Sequence, residues 1–199
     1  MNVRVLVILA IAALQGCTGT VAYKPEYLGD SPVIYGKPLE GKALLYLSPQ
    51  DRTYVFKGGP TTFAGSASTV TLPLGLITQQ VGKEALGHFY SGGIEIVETL
   101  ADARQDDAVV VHFEDFSYGY DVLDNFAVLI DLKLIVTLLD RDNRSLWSNT
   151  YRADRARVQV QCPATQPHEC LNQAVHHTLF DLMHKAGSGL RNHSYSQGK

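Results

Sequence analysis

Between Phe126 and Leu139 every second residue is large and apolar: Phe126, Val128, Ile130, Leu132, Leu134, Val136 and Leu138, with Asp131, Lys133 and Thr137 among the residues between them. Side chains alternate across a strand, so this pattern predicts one unusually long strand with a buried face and a wet face. Such a strand needs neighbours beside it and a layer over its apolar side. The neighbours lie close by in sequence. Ala108 to Phe113 reads as a strand and Asp140-Arg141-Asp142-Asn143-Arg144-Ser145 as a polar turn. Leu146 to Ala153 and Arg157 to Gln161 continue as strand, with Trp147 and Tyr151 alternating against Ser148 and Asn149. Together these predict an antiparallel meander.

The covering layer is helical. After Pro73, Ile77, Val81, Ala85 and Phe89 recur four apart beside Leu74 and Leu86, while Gln80, Lys83 and Glu84 fall on the far side. That spacing predicts a helix from about Leu74 to Tyr90, ended by Ser91-Gly92-Gly93. Gly82 and Gly87 weaken it by up to ~1 kcal/mol each relative to alanine, so it must lean on tertiary packing. A second helix is expected after Pro167, with Leu171, Val175, Thr178, Leu179, Leu182, Met183 and Ala186 buried and Gly187 ending it. Upstream, Ala43 to Ser48 is a short strand closed by Pro49. Arg52 to Phe56 suits another before Gly58-Gly59-Pro60, and Ile94 to Val97 suits one more. Thr61 to Thr71 reads as a surface loop whose only aromatic residue is Phe63. The expected fold class is α+β: an antiparallel sheet, a meander with one long strand, covered on one face by two helices.

The N-terminus carries an address. Met1 and Arg4 form a short positive region, Val5 to Leu14 an apolar one, and Leu14-Gln15-Gly16-Cys17 fills a lipobox in which Gln15 alone departs from the generic pattern. The favoured reading is a bacterial lipoprotein with Cys17 acylated; an ordinary cleaved secretory peptide or an uncleaved anchor are the alternatives. The expected organisation is a lipoprotein signal peptide over 1–16, a lipidated cysteine and flexible tether over 17–42, a single periplasmic domain over 43–187, and a flexible tail over 188–199. The tether reading follows from Pro25, Pro32, Pro38 and the absence of any period. Tyr23, Tyr27 and Tyr35 leave open that part of it packs along the domain.

With 17 basic and 20 acidic residues the net charge is −3, or −4 once Arg4 leaves with residues 1–16, and no basic block occurs. Nucleic acid is therefore not an expected partner, and membrane attachment would rest on acyl chains. Cys162 and Cys170 remain as an even pair, expected to form a disulfide in an oxidising periplasm. A metal site with His168 is the competing reading.

Chemistry-bearing motifs are sparse. There is no Gly-x-Ser-x-Gly, no phosphate-binding glycine loop and no His-Glu-x-x-His. His177, Asp181 and His184 recur at helical spacing beside His176, which suits either a metal site or, preferably, a solvated face. Adjacent Glu114 and Asp115 would point to opposite faces of a strand and so could not flank one scissile bond. Phe116, Tyr118 and Tyr120 suit an aromatic loop acting as a partner-binding patch, with ordinary packing as the alternative. Arg152, Arg155 and Arg157 around Asp154 suit a wet strand face or a candidate headgroup contact. No catalytic residue, metal or cofactor is assigned.

In its order of elements, the chain resembles the small envelope lipoproteins of the YajG and LptE type, and ABC-transporter auxiliary lipoproteins. The likeness rests on the lipobox, the Pro-rich tether, one βα unit, the long-stranded meander with its Trp-containing strand, and the closing helix, over roughly residues 43–186. The resemblance implies a non-catalytic module that binds or braces a larger envelope complex. The sequence-level expectation is thus an outer-membrane lipoprotein on the periplasmic side, since Thr18 replaces the Asp that signals inner-membrane retention. Its expected partners are the outer membrane and an envelope protein. A lipid or lipopolysaccharide handler and a metal-dependent periplasmic enzyme are the rivals.

Overall fold

A computed structural model describes residues 18–28, 36–64, 68–103, 107–121, 127–162 and 166–196. Residues 1–16, Cys17 and Phe126 lie outside the described residues.

The long strand is present as β7 (Ala127–Leu139). Its even-numbered residues from Val128 to Leu138 are all buried, and Asp131, Lys133, Ile135, Thr137 and Leu139 alternate with them half-buried. It is paired antiparallel on both sides, with β6 (Asp107–Asp121) and β8 (Ser145–Val158). The other neighbours break the expectation of a purely antiparallel sheet. β2 (Ala43–Leu47) pairs parallel with both β6 and β5 (Ile94–Val97), giving the order β5-β2-β6-β7-β8. The fold is α+β with a mixed sheet, because the β2-helix-β5 crossover brings two strands together in the same direction.

A second sheet replaces part of what reads as loop. β3 (Phe56–Gly58) and β4 (Thr69–Leu72) pair antiparallel, and β1 (Thr18–Thr20) lies parallel to β4, giving the order β1-β4-β3. Alternation of Val70 and Leu72, both buried, is the signal for β4, but four residues are too few to distinguish from a loop. The segment after Pro49 is a short helix, α1 (Pro49–Arg52), in which proline occupies the first turn and Ser48 caps it. β1 then corrects the free-tether reading: from Thr18 to Leu28 the described chain packs on the domain.

Helices α2 (Leu74–Gly87) and α3 (Pro167–Ser196) cover one face of the larger sheet. They bury Ile77, Val81, Ala85 and Leu86 against Leu171, Val175, Leu179, Leu182 and Met183 in one core cluster. α3 does not stop at Gly187. A Cβ there would lie 2.3 Å from Cδ2 of Phe89, so this glycine is a notch into which the Phe89 ring fits, and the helix runs on to bury Leu190. Gly189 is a second notch, with the Tyr151 hydroxyl 2.6 Å from where its Cβ would be. The tail expected from residue 188 is therefore helical through Ser196. Among the described residues no helix is long and apolar enough to cross a membrane.

Candidate functional site

Two bulges decide which side chains reach the surface. β6 buries Val109, Val111 and Phe113, then slips register between Phe113 and Asp115. The extra residue inverts the alternation. Beyond it Tyr118 and Tyr120 are buried, Phe116 is half-buried, and Glu114 and Asp115 both lie exposed. Glu114 pairs with Lys133. This corrects the aromatic-loop reading of Phe116, Tyr118 and Tyr120, which are strand residues turned inward. Phe56 of the small sheet meets Phe116 edge-on at 4.8 Å between ring centroids, and Tyr118 packs edge-on to Tyr120 at 5.8 Å. The Tyr120 hydroxyl donates to the Pro167 carbonyl at 2.9 Å. The three rings join the two sheets to the start of α3. Burial pushes the Tyr118 hydroxyl up to about 12 and raises that of Tyr120 as well.

β8 repeats the device. Its register slips opposite Ile130 to Leu132, so Asp154 and Arg155 are accommodated in the bulge. Arg155 adopts φ +46° and its N–H donates to Asp131 Oδ1 at 2.8 Å. Arg152 and Arg157 border a shallow groove of about 440 Å³ between β8 and α3, together with His177, Asp181 and Lys185. Arg155 does not line it. Arg157 donates to Asp121 at 2.5 Å and Lys185 to Asp181 at 2.6 Å, so two of the groove's cations are already in ion pairs. The structure thus places two of the three arginines on one surface and turns the third aside.

His177, Asp181 and His184 lie along α3, and among the described residues no three His, Cys, Asp or Glu side chains converge as a metal site. His184 packs on Phe89, 5.0 Å between ring centroids, and burial lowers the affinity of both His177 and His184 for a proton. Cys162 and Cys170 are bonded, with Cα atoms 5.4 Å apart.

Two constellations escaped the sequence reading. His176 is fully buried and receives the Lys24 N–H on Nε2 at 3.0 Å, while its Nδ1 lies 2.8 Å from the Asn172 carbonyl. Those two partners require the neutral imidazole with its proton on Nδ1. Around it the N-terminal strap is fastened by Lys24 Nζ and the Tyr27 hydroxyl, which donate to Glu169 at 2.9 and 2.7 Å. The second is Asp51, a buried carboxylate that accepts from the Ser48 hydroxyl at 2.6 Å and the Phe113 N–H at 3.3 Å. It also lies 3.0 Å from Nδ1 of His112. Ser48 bonds the acid rather than the imidazole, so the trio has the connectivity of a cap and clamp rather than a nucleophilic triad. Neither role is marked in sequence, because the contacts that define it, Lys24 with His176 and Asp51 with His112 and Phe113, join residues 152, 61 and 62 positions apart.

Fold and surface together define a two-layer α+β domain with a strapped N-terminus. No family model and no curated protein matches the chain. Among solved structures it is similar to protein XCC0632 from Xanthomonas campestris, which carries the family designation DUF330. The TM-score is 0.56 at 12% identity, over 91% of this chain and 99% of that one, which is a likeness of fold. The PelC dodecamer from Paraburkholderia phytofirmans aligns with a TM-score of 0.43 at 14% identity, over 75% of this chain and 86% of that one. That second likeness carries no weight.

Proposed function

We propose that the chain is a lipoprotein anchored through Cys17 to the periplasmic side of the outer membrane, where it acts as a non-catalytic accessory subunit of an envelope complex. The observation that carries this reading is the Leu14-Gln15-Gly16-Cys17 lipobox behind a short apolar segment. It is supported by the Cys162–Cys170 bridge, which suits an oxidising compartment. Its element order resembles that of the YajG, LptE and ABC-transporter auxiliary lipoproteins, and this resemblance supports a role in bracing a larger assembly. Metabolic labelling with palmitate, followed by membrane fractionation, tests the anchor: label on the wild type and none on Cys17→Ser is expected. Equal labelling of both, or none on either, overturns it.

A second reading, the lipid handler, is favoured by one observation, the Arg152 and Arg157 groove beside Lys185. A shallow groove bordered by Arg152, Arg157 and Lys185 suits an anionic headgroup rather than an acyl chain. Retention of lipopolysaccharide that is weakened by Arg152→Ala in a flotation assay supports this reading, and unchanged retention removes it.

A further inference from the structure

Three features that are remote in sequence meet at one end of the molecule. β1 runs parallel to β4, with Thr18 opposite Thr69, so the start of β1 and the start of β4 share an end of the small sheet. The antiparallel β3 finishes at the same end, Gly58 opposite Val70, and the connection that follows carries Phe63. Thr61 and Thr62 pin that connection to the last residues of β6: the Thr61 N–H donates to the Tyr118 carbonyl at 2.7 Å, and the Tyr120 N–H donates to Thr62 Oγ1 at 2.9 Å. The first turn of α3 closes the same end, where a Cβ on Gly19 would touch His168. Phe63, which directly follows the Thr61 and Thr62 anchors, is 96% exposed, far beyond any other large apolar residue described.

From this arrangement we infer that Phe63 is a membrane-inserting side chain and that the end of the domain carrying Thr18 lies flush on the bilayer. The inference rests on the lipoprotein reading above, because it takes the acyl chains to be attached one residue before β1. With no free chain between Cys17 and β1, acylation fixes this end at the lipid surface, and an aromatic ring projecting from it enters the interfacial layer. Aromatic rings settle favourably at that depth. Among the described residues this end has no polybasic patch, with Arg157 tied to Asp121 and Lys24 to Glu169, so a neutral wedge suits the site better than an electrostatic contact. A lone exposed aromatic on a soluble surface needs no explanation; one at the end of the domain that carries Thr18 has a defined partner.

The wild-type chain supplies its own control, because its sole tryptophan, Trp147, pairs with Leu138 at the opposite end of β8. That is roughly 35 Å along the strand at ~3.3 Å per residue. Full-length wild type and Phe63→Trp are purified from membranes and reconstituted in phosphatidylethanolamine and phosphatidylglycerol vesicles whose acyl chains are brominated. The expected result is loss of most of the added emission of Phe63→Trp to bromine, with the wild type unquenched. Protein that floats with the vesicles while the added emission stays unquenched overturns the inference. Failure to float at all counts against lipidation, not against Phe63. In that case Cys17, the only cysteine outside the disulfide, is coupled to a maleimide lipid and the same two quenching outcomes decide.

Discussion

The backbone N–H of Lys24 donates to Nε2 of His176 at 3.0 Å, joining residues 152 positions apart. A single buried imidazole thereby holds the N-terminal strap to the longest helix. It can do so only while neutral, since a second proton on the ring would turn the acceptor into a donor facing a donor.

Acid should loosen this contact. Burial, opposed by the hydrogen bond to the Asn172 carbonyl, lowers the His176 pKa from its ordinary 6.5. The unfolded chain therefore takes up a proton first, so the His176 contribution is complete above pH 6.5 and declines as the pH falls below it. Glu169 is lowered by the Tyr27 hydroxyl and then Lys24, and its contribution is lost further down, as the pH falls through its folded value. Thermal unfolding followed by circular dichroism from about pH 8 to about pH 2 should show the midpoint falling in both windows. His176→Gln should flatten the upper window in part, with His177 and His184 supplying the rest; an unchanged upper slope refutes the assignment.

Gly187→Ala should destabilise by about 1–3 kcal/mol, because the new methyl collides with a buried aromatic ring that has no room to retreat. Gly189→Ala meets the far end of the Tyr151 side chain instead, and the ~1 kcal/mol gained in helix propensity offsets the displacement. Urea unfolding of the two variants should rank them in that order. Equal midpoints would show that Gly187 terminates the packing rather than forming it.

Asp51→Ala removes the acceptor for the Phe113 N–H and frees α1 from the β6 bulge, at a cost of about 1–3 kcal/mol. Amide hydrogen exchange localises the effect. Phe113 should exchange faster in the variant while β8 amides keep their protection relative to global stability. Uniform change would mean the clamp has no local role.

Reduction of the Cys162–Cys170 bridge should lower stability by about 2–3 kcal/mol, the value expected for so small a loop. Chemical denaturation with and without reductant measures it. The Cys162→Ser/Cys170→Ser double variant should match the reduced protein and ignore the reductant.

How far the fold could be read from the sequence depended on where its periods were regular. β7 and the buried stripes of α2 and α3 repeat over many residues, so their faces were legible. The inward aromatics were not, because the bulge after Phe113 inverts the phase of β6 without any local mark in composition. Gly187 reads as an end because glycine ends helices more often than it admits a ring; only the position of Phe89 separates the two roles. The parallel pairing of β2 and the docking of the strap by His176 are set by long-range contacts, to which local patterns are blind. The surface was less legible still: Arg152 and Arg157 reach the groove, while Arg155, at a positive φ, gives its own N–H to Asp131.

The strap also has a mechanical meaning. A pull on the chain ahead of Thr18 meets the short β1–β4 ladder first, then the Lys24, Tyr27 and Glu169 cluster, before any load reaches the sheet beneath. These fastenings lie in series ahead of the larger sheet, so they act as strain relief: they are expected to give way under tension while β6, β7 and β8 stay paired. A domain dragged by its N-terminus would lengthen by releasing its strap and shorten again by re-docking it, without unfolding.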